Sequence, residues 1–167
     1  SRIHRMIQKR MGDEYKSEVF LHYEYETENY ILIVEGRADG VITEDSQTTI
    51  DEIKTTYRDV AIMKEPYGVH VAQAKVYAAI YGIQNSVNQI KVRMTYCNVE
   101  TEELKYFEDE YKIDVLKEWF ENLLLQYKKW ADYEYQWKQI RQESIGKLDF
   151  PFSYREGQKE LASYVYQ

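Results

Sequence analysis

The order of hydrophobic patterns in the first two thirds of the chain limits the fold more than any other feature. Residues 18–27, 30–42 and 48–56 alternate apolar and polar side chains, as strands with one buried face do. A segment with helical spacing follows at 70–84, and residues 89–101 alternate again. With the end of a helix predicted over residues 2–10, this order indicates an α/β domain with a mixed sheet.

The remainder of the chain carries a longer helical pattern. Apolar and aromatic residues recur at a spacing near three and four from Val115 onward: Leu116, Phe120, Leu123, Tyr127, Trp130 and Trp137. This spacing predicts one long amphipathic helix that ends near Gly146. Residues 104–111 are a candidate for one further element before it. The expected fold is a central mixed β-sheet flanked by helices, with a long C-terminal helix.

Composition limits the class of protein. The 167 residues are 44% hydrophobic, which is enough to bury the core of one domain. The single cysteine, Cys97, excludes a disulfide framework within the chain, a four-cysteine zinc site and an iron-sulfur cluster. The absence of a signal peptide and of any apolar run near ~20 residues predicts a cytoplasmic protein without a membrane partner. The net charge of −7 argues against a general nucleic-acid coat but allows a local site.

Acidic residues and a lysine stand at matching places on two neighbouring predicted strands. Alternation sends Glu35, Arg37 and Asp39 to one side of the second strand, and on the third strand Glu52 and Lys54 also share a side. If the strands pair, Asp39 and Glu52 converge and require a cation, for which Mg²⁺ or Mn²⁺ is the simplest choice. Lys54 would then position or deprotonate a metal-bound water. The alternative is a solvent-facing Glu-Lys pair on an edge strand.

Two further groups could serve such a site. Gln73 and Tyr77 are four residues apart on the following predicted helix, so that an amide and a phenol share one face. They could hold the lysine, the water or a phosphate oxygen. His4 offers an imidazole from the first helix, although its spacing alone does not distinguish a ligand from an ordinary histidine.

Three motifs in the chain resemble those of a known family. Gly36-Arg37-Ala38-Asp39, Glu52-Ile53-Lys54 and Gln73 to Tyr77 are similar in order and spacing to the G-x-x-D, (D/E)-x-K and Q-x-x-x-Y signatures of the RecB-like branch of PD-(D/E)XK nucleases. The resemblance covers roughly residues 1–130, and His4 is similar in placement to a histidine of that branch. The glycine-containing turn that usually precedes that histidine is missing. The resemblance implies a restriction-endonuclease-like core of order αβββαβ.

The resemblance also implies roles for individual residues. It implies four ligands for Mg²⁺ or Mn²⁺: His4, Asp39, Glu52 and the carbonyl oxygen of Ile53. It implies that Lys54 orients the attacking water and that Gln73 and Tyr77 support Lys54 or the DNA backbone. Glu35 and Arg37 could support the ligands and contact a phosphate, or they could form an ion pair on the strand face.

The C-terminal segment resembles a different family. Phe150-Pro151-Phe152, followed by Arg155 and Gln158, is similar to the Q-motif that opens DinG/Rad3-like helicases, in which the glutamine binds adenine. No G-x-x-x-x-G-K-[ST] follows, so this chain would not hydrolyse ATP itself. The predicted division is a nuclease domain at 1–145, shortened at its N-terminus, and the leading segment of a helicase domain at 146–167. A capped amphipathic tail is the alternative.

These expectations combine into one function with two alternatives. The chain is expected to be a metal-dependent deoxyribonuclease, an exonuclease acting on single-stranded DNA ends, and the nuclease domain of a larger nuclease-helicase in DNA repair or recombination. Its partners would be DNA and a C-terminal helicase domain. The alternatives are a catalytically inactive domain that binds DNA or docks the helicase, and a restriction-type endonuclease specific for duplex sites.

Overall fold

The computed structural model describes residues 2–148, 153 and 155–165. It contains the following elements: α1 (Arg2–Arg10), β1 (Tyr15–Glu26), β2 (Ile31–Glu44), β3 (Gln47–Thr56), α2 (Gly68–Gln84), β4 (Gln89–Asn98), β5 (Leu104–Lys112), α3 (Ile113–Gly146) and α4 (Gln158–Val165). The candidate element at 104–111 is the strand β5. Phe150, Pro151 and Phe152, on which part of the helicase resemblance rests, lie outside the described residues.

Five strands form one mixed sheet in the order β1-β2-β3-β4-β5. Strands β1, β2 and β3 pair antiparallel, β3 and β4 pair parallel, and β4 and β5 pair antiparallel. The parallel pair requires a crossover, and α2 supplies it. The structure thus confirms an α/β fold with a mixed sheet flanked by helices.

Helices α1 and α2 cover opposite faces of the sheet. Ile50 on β3 packs in a core cluster with the fully buried Ala74 and Ala78 of α2. Ile53, three residues later and therefore on the other face, packs with Ile7 of α1. The small alanine side chains allow α2 to lie close to the strands. Residues of β3 thus reach both helices, with neighbouring positions pointing to opposite sides.

The alternation of strand β2 is interrupted beside Asp39. Ala38 and Val41 are three residues apart, yet both are buried in the cluster that includes α2. On the neighbouring strand, Glu18 has a positive φ of 56° and no partner in the β1–β2 ladder, in which Ser17 pairs with Gly40 and Val19 with Ala38. The β2–β3 ladder ends at the pair Gly40 and Asp51. Beyond that pair β2 separates from β3, which leaves a notch between the two strands.

Contacts divide the chain within α3 into two compact units, Ser1–Gln126 and Tyr127–Gln167. All five strands belong to the first unit. In the second unit, Lys128 Nζ donates to Asp132 Oδ2 at 2.7 Å one helical turn away. The boundary predicted at residue 145 rests on a sequence resemblance and stays a prediction. Within the described part of the chain, no helix is long and apolar enough to cross a membrane.

Candidate functional site

Asp39 lies in the notch where β2 leaves β3. Its Oδ2 accepts a hydrogen bond from the backbone N–H of Ile53 at 2.7 Å, so the carboxylate takes the place of the missing strand partner. Its Oδ1 lies 3.1 Å from Nδ1 of His4 on α1. Gln8, one turn after His4, donates to the Asp39 carbonyl oxygen at 2.9 Å. Asp39 is thereby fixed to β3 on one side and to α1 on the other.

Glu52 is the most constrained acid of the site. The residue is 3% exposed, and its Oε1 accepts a hydrogen bond from Lys54 Nζ at 2.7 Å. Burial raises the pKa of Glu52 to about 7; the bond to Lys54 lowers that pKa, and the nearby charge of Asp39 raises it again. The second oxygen, Oε2, is buried without a hydrogen-bond partner in the described structure. A buried, unpartnered carboxylate oxygen is costly, so a cation fits here on chemical grounds.

Lys54 connects the acids to helix α2. Its Nζ also donates to Gln73 Oε1 at 2.9 Å, and Gln73 Nε2 donates to the Tyr77 hydroxyl at 3.0 Å. Tyr77 packs over Gly36, where an added Cβ would lie only 2.5 Å from the Tyr77 ring atom Cε1. Gly36 is therefore needed for β2 to approach α2 this closely.

The structure thus brings together seven of the residues singled out in the sequence. Backbone or side-chain contacts link them into one continuous set: His4, Asp39, Ile53, Glu52, Lys54, Gln73 and Tyr77. These contacts describe the geometry only, and the catalytic and ligand roles predicted for these residues stay predictions.

Other predicted residues lie apart from this set. Glu35 is exposed, and its Oε1 lies 2.8 Å from Nδ1 of His22 on the neighbouring strand. Arg37 is also exposed and stands opposite Phe20. In the second unit, the exposed Gln158 accepts a hydrogen bond from the Arg155 backbone N–H at 2.8 Å through its side-chain oxygen. The roles predicted for Glu35, Arg37, Arg155 and Gln158 stay predictions.

Two residues beside the site were missed in the sequence. Gln8 is four residues after His4, and this spacing on one helix face could have revealed it. His70 is three residues before Gln73, and its Nδ1 lies 2.9 Å from the Tyr96 hydroxyl. Burial and the charge of Lys54 lower the pKa of His70, which favours a neutral imidazole next to the ammonium.

A buried polar network lies behind the site, on the α1 face of the sheet. Asp51 is fully buried and accepts hydrogen bonds from the Tyr15 hydroxyl at 3.0 Å, from Arg93 Nε at 3.0 Å and from the Thr95 hydroxyl. Burial and the charge of Asp51 raise the pKa of Tyr15, so the phenol keeps its proton and donates. This network holds β3 against β1 and β4 next to Glu52.

The carboxylates of the site suit an ion such as Mg²⁺, which needs few protein ligands, better than a metal that is enclosed by side chains alone. Within the described residues, no group of three or more His, Cys, Asp or Glu side chains is gathered so as to hold a metal. Mg²⁺, however, is usually held by only one or two carboxylates together with waters and substrate phosphates. Asp39 and Glu52 are two such carboxylates: the charge of Asp39 raises the pKa of Glu52, and Glu52 Oε2 has no hydrogen-bond partner in the described structure.

Comparisons with known proteins bear on the fold. No protein-family model matches the chain, and no curated protein matches it. Seven chains of solved structures match, among them the crystal structure of SSO0001, with a TM-score of 0.52 and 18% sequence identity. The match covers 75% of this chain and 58% of that one, so this chain spans little more than half of its length. At this identity the likeness shows a shared fold and assigns no activity.

Proposed function

We propose that this chain is a metal-dependent deoxyribonuclease domain with a restriction-endonuclease-like core, of the RecB-like branch of PD-(D/E)XK nucleases. The observation that carries the proposal is the contact set in the notch, where Asp39, Glu52 and Lys54 meet beside an unpartnered carboxylate oxygen. Two of the three motifs supply these groups, and the third supplies Gln73, which accepts a hydrogen bond from Lys54. A solvent-facing Glu-Lys pair would leave Glu52 exposed, whereas this residue is buried.

Asp39 and Glu52 would hold Mg²⁺ or Mn²⁺, with His4 and the Ile53 carbonyl oxygen as further ligands. When bound, such an ion neutralises the acids, lowers the pKa of a coordinated water and balances charge on a phosphoryl group. The hydrogen bond from the Ile53 backbone N–H to Asp39 Oδ2 fixes the orientation of that carboxylate before any ion binds. The site is thus largely formed by the protein itself.

Lys54 and Tyr77 keep donors available for the substrate. An ammonium has three N–H donors, and Lys54 gives two of them to Glu52 and Gln73. The third can orient the attacking water or contact a phosphate oxygen. The Tyr77 hydroxyl accepts from Gln73, so its own proton can be donated to a phosphate oxygen. Gln73 fixes both groups and would act as a positioning residue.

The wider proposal is an exonuclease for single-stranded DNA ends within a larger nuclease-helicase. It is supported by the sequence resemblances in residues 1–130 and 146–167. The acidic net charge of −7 is compatible with it, because a partner domain can feed the strand to a local site.

The test is cleavage of end-labelled single-stranded DNA with Mn²⁺ by the intact chain. Lys54→Ala and Asp39→Asn are expected to abolish the products, while Lys117→Ala, which removes an exposed lysine of α3, retains them. A covalently closed circular single strand distinguishes the two nuclease classes, because an exonuclease leaves it intact. If the intact chain forms no metal-dependent products, the alternative of a non-catalytic DNA-binding or helicase-docking domain is favoured.

A further inference from the structure

Helix α1 carries a positive surface that the site chemistry does not use. Its nine residues contain four Lys or Arg and no acid, although acids outnumber these bases by seven over the whole chain. The side chains of Arg2, Arg5 and Lys9 are exposed. Positive charge is thus concentrated on α1 although the chain as a whole is acidic.

Helical geometry places Arg5 nearest the notch, with Lys9 and Arg2 continuing from it onto the outward side of α1. Each residue turns about 100° around the helix axis. His4 and Gln8 contact Asp39, and Ile7 is buried against the sheet. Arg5 and Lys9 each follow a site-facing residue by one position, so they form the next stripe of the helix surface. Arg2 lies on the same exposed side as Lys9, two turns earlier.

Among the described residues, the cations of this stripe, Arg2, Arg5 and Lys9, have no carboxylate within ion-pair distance. The next residue, Arg10, differs from them because it pairs with Glu102 at 3.2 Å. No ion pair joins any member of the stripe to a carboxylate in the part of the chain that the structure describes. A hollow of about 430 Å³ is lined by the stripe together with Met6 and Arg10. Its walls therefore offer charge to an anion from outside the chain.

We infer that the Arg2-Arg5-Lys9 stripe binds the sugar-phosphate backbone of the single strand whose phosphodiester lies in the notch. This rests on the proposed function and adds a site for the substrate beyond the cleaved bond. The helix rise places Arg2 and Lys9 about 10 Å apart along the axis. Along the axis Arg2 and Arg5 are about 4.5 Å apart and Arg5 and Lys9 about 6 Å, spacings longer than the ~3.4 Å axial step between phosphates of a stacked strand, so the long side chains can each reach a different phosphate. A row of single cations suits a sugar-phosphate backbone, in which each phosphodiester carries one negative charge.

The inference is tested by removing three charges from the stripe and three from elsewhere. The variant is Arg2→Gln, Arg5→Gln, Lys9→Gln, and the matched control is Lys117→Gln, Lys129→Gln, Lys138→Gln on the exposed surface of α3. Binding of a labelled oligothymidylate is followed by fluorescence anisotropy from 25 to 200 mM salt. Ca²⁺ replaces Mn²⁺ throughout, and circular dichroism confirms that each protein is folded.

The stripe variant is expected to bind about tenfold or more weakly at low salt, and its plot of log affinity against log salt should be about 2 units shallower, from three contacts at ~0.7 each. The control should keep both values. An unchanged slope in the stripe variant, or no measurable binding by the unsubstituted chain, overturns the inference. The inference is also overturned if polyglutamate competes for binding as well as DNA of equal charge does, because the stripe would then bind an acidic protein equally well. Failure to cut DNA refutes the proposed nuclease alone, because the binding comparison does not depend on cleavage.

Discussion

Replacing Glu52 with glutamine is expected to stabilise the metal-free protein at alkaline pH. Glu52 is buried, and its Oε2 has no hydrogen-bond partner in the described structure. Burial is the largest cause that raises its pKa, from an ordinary 4.5 to about 7. Glutamine keeps the shape of the side chain and removes the buried charge, so the variant isolates the cost of that charge.

The sign follows from the two states of the chain. Below pH 4.5 the carboxyl is protonated in both the folded and the unfolded protein, so no cost arises. Between pH 4.5 and about 7 the unfolded chain loses its proton first, and the free energy of unfolding falls. Above about 7 the cost is complete, and at about 1.4 kcal/mol per pKa unit it amounts to about 3 kcal/mol.

The assay is urea unfolding with EDTA at pH 5 and at pH 8. The difference in unfolding free energy, Glu52→Gln minus unsubstituted protein, should shift in favour of the variant by about 2.5 kcal/mol between the two pH values, because part of the cost is already present at pH 5. The attraction between the ionised carboxylate and Lys54 opposes this shift and is already contained in the pKa of about 7. Glu121→Gln, at an exposed position of α3, is the matched control and should show no shift. A shift below about 1 kcal/mol would refute the reasoning.

Four further outcomes are expected. Mn²⁺ at about 100 times its dissociation constant should stabilise the unsubstituted protein by about 2.7 kcal/mol in urea unfolding but not Glu52→Gln; equal stabilisation would place the ion elsewhere. Gly36→Ala should lower the cleavage rate at least ~10-fold in a single-turnover assay while folding persists, because its Cβ would meet Tyr77 at 2.5 Å and displace it. Asp51→Asn should lower the free energy of unfolding by about 3 kcal/mol, since the partly buried guanidinium of Arg93 loses its charge partner. The isolated chain should bind single-stranded DNA weakly at physiological salt, and nanomolar affinity in an anisotropy titration would contradict this.

Local periodicity predicted the helices and strands, but it did not predict that β3 and β4 pair parallel. Alternation and helical spacing identified β1 to β4, α2 and α3, because each buries one face. Strand β5 was only a candidate, since its run from Glu108 to Glu110 is acidic and exposed at the sheet edge. The parallel pairing of β3 with β4 depends on the α2 crossover, which no local pattern encodes.

The site could be predicted in part because its motifs are short and ordered. Asp39, Glu52 and Lys54 were each identifiable by type and spacing. The interruption of β2 between Ala38 and Val41 was not, because it depends on the ladder ending at Gly40. Strict alternation would have predicted a regular strand here, whereas the notch needs two strands that separate.

Asp51 and Glu52 show most directly why the site lies where it does. They are adjacent acids on one buried strand, and both are almost fully excluded from solvent. Asp51 accepts bonds from three donors, including a guanidinium, so its charge is compensated within the fold. Glu52 has Lys54 on one oxygen and no partner on the other in the described structure. Neutralising the two acids should therefore have opposite effects on the metal-free protein at pH 8, since Asp51→Asn breaks a satisfied network and Glu52→Gln removes an unsatisfied charge. This contrast between two adjacent buried acids supports the proposal that Glu52 binds a cation.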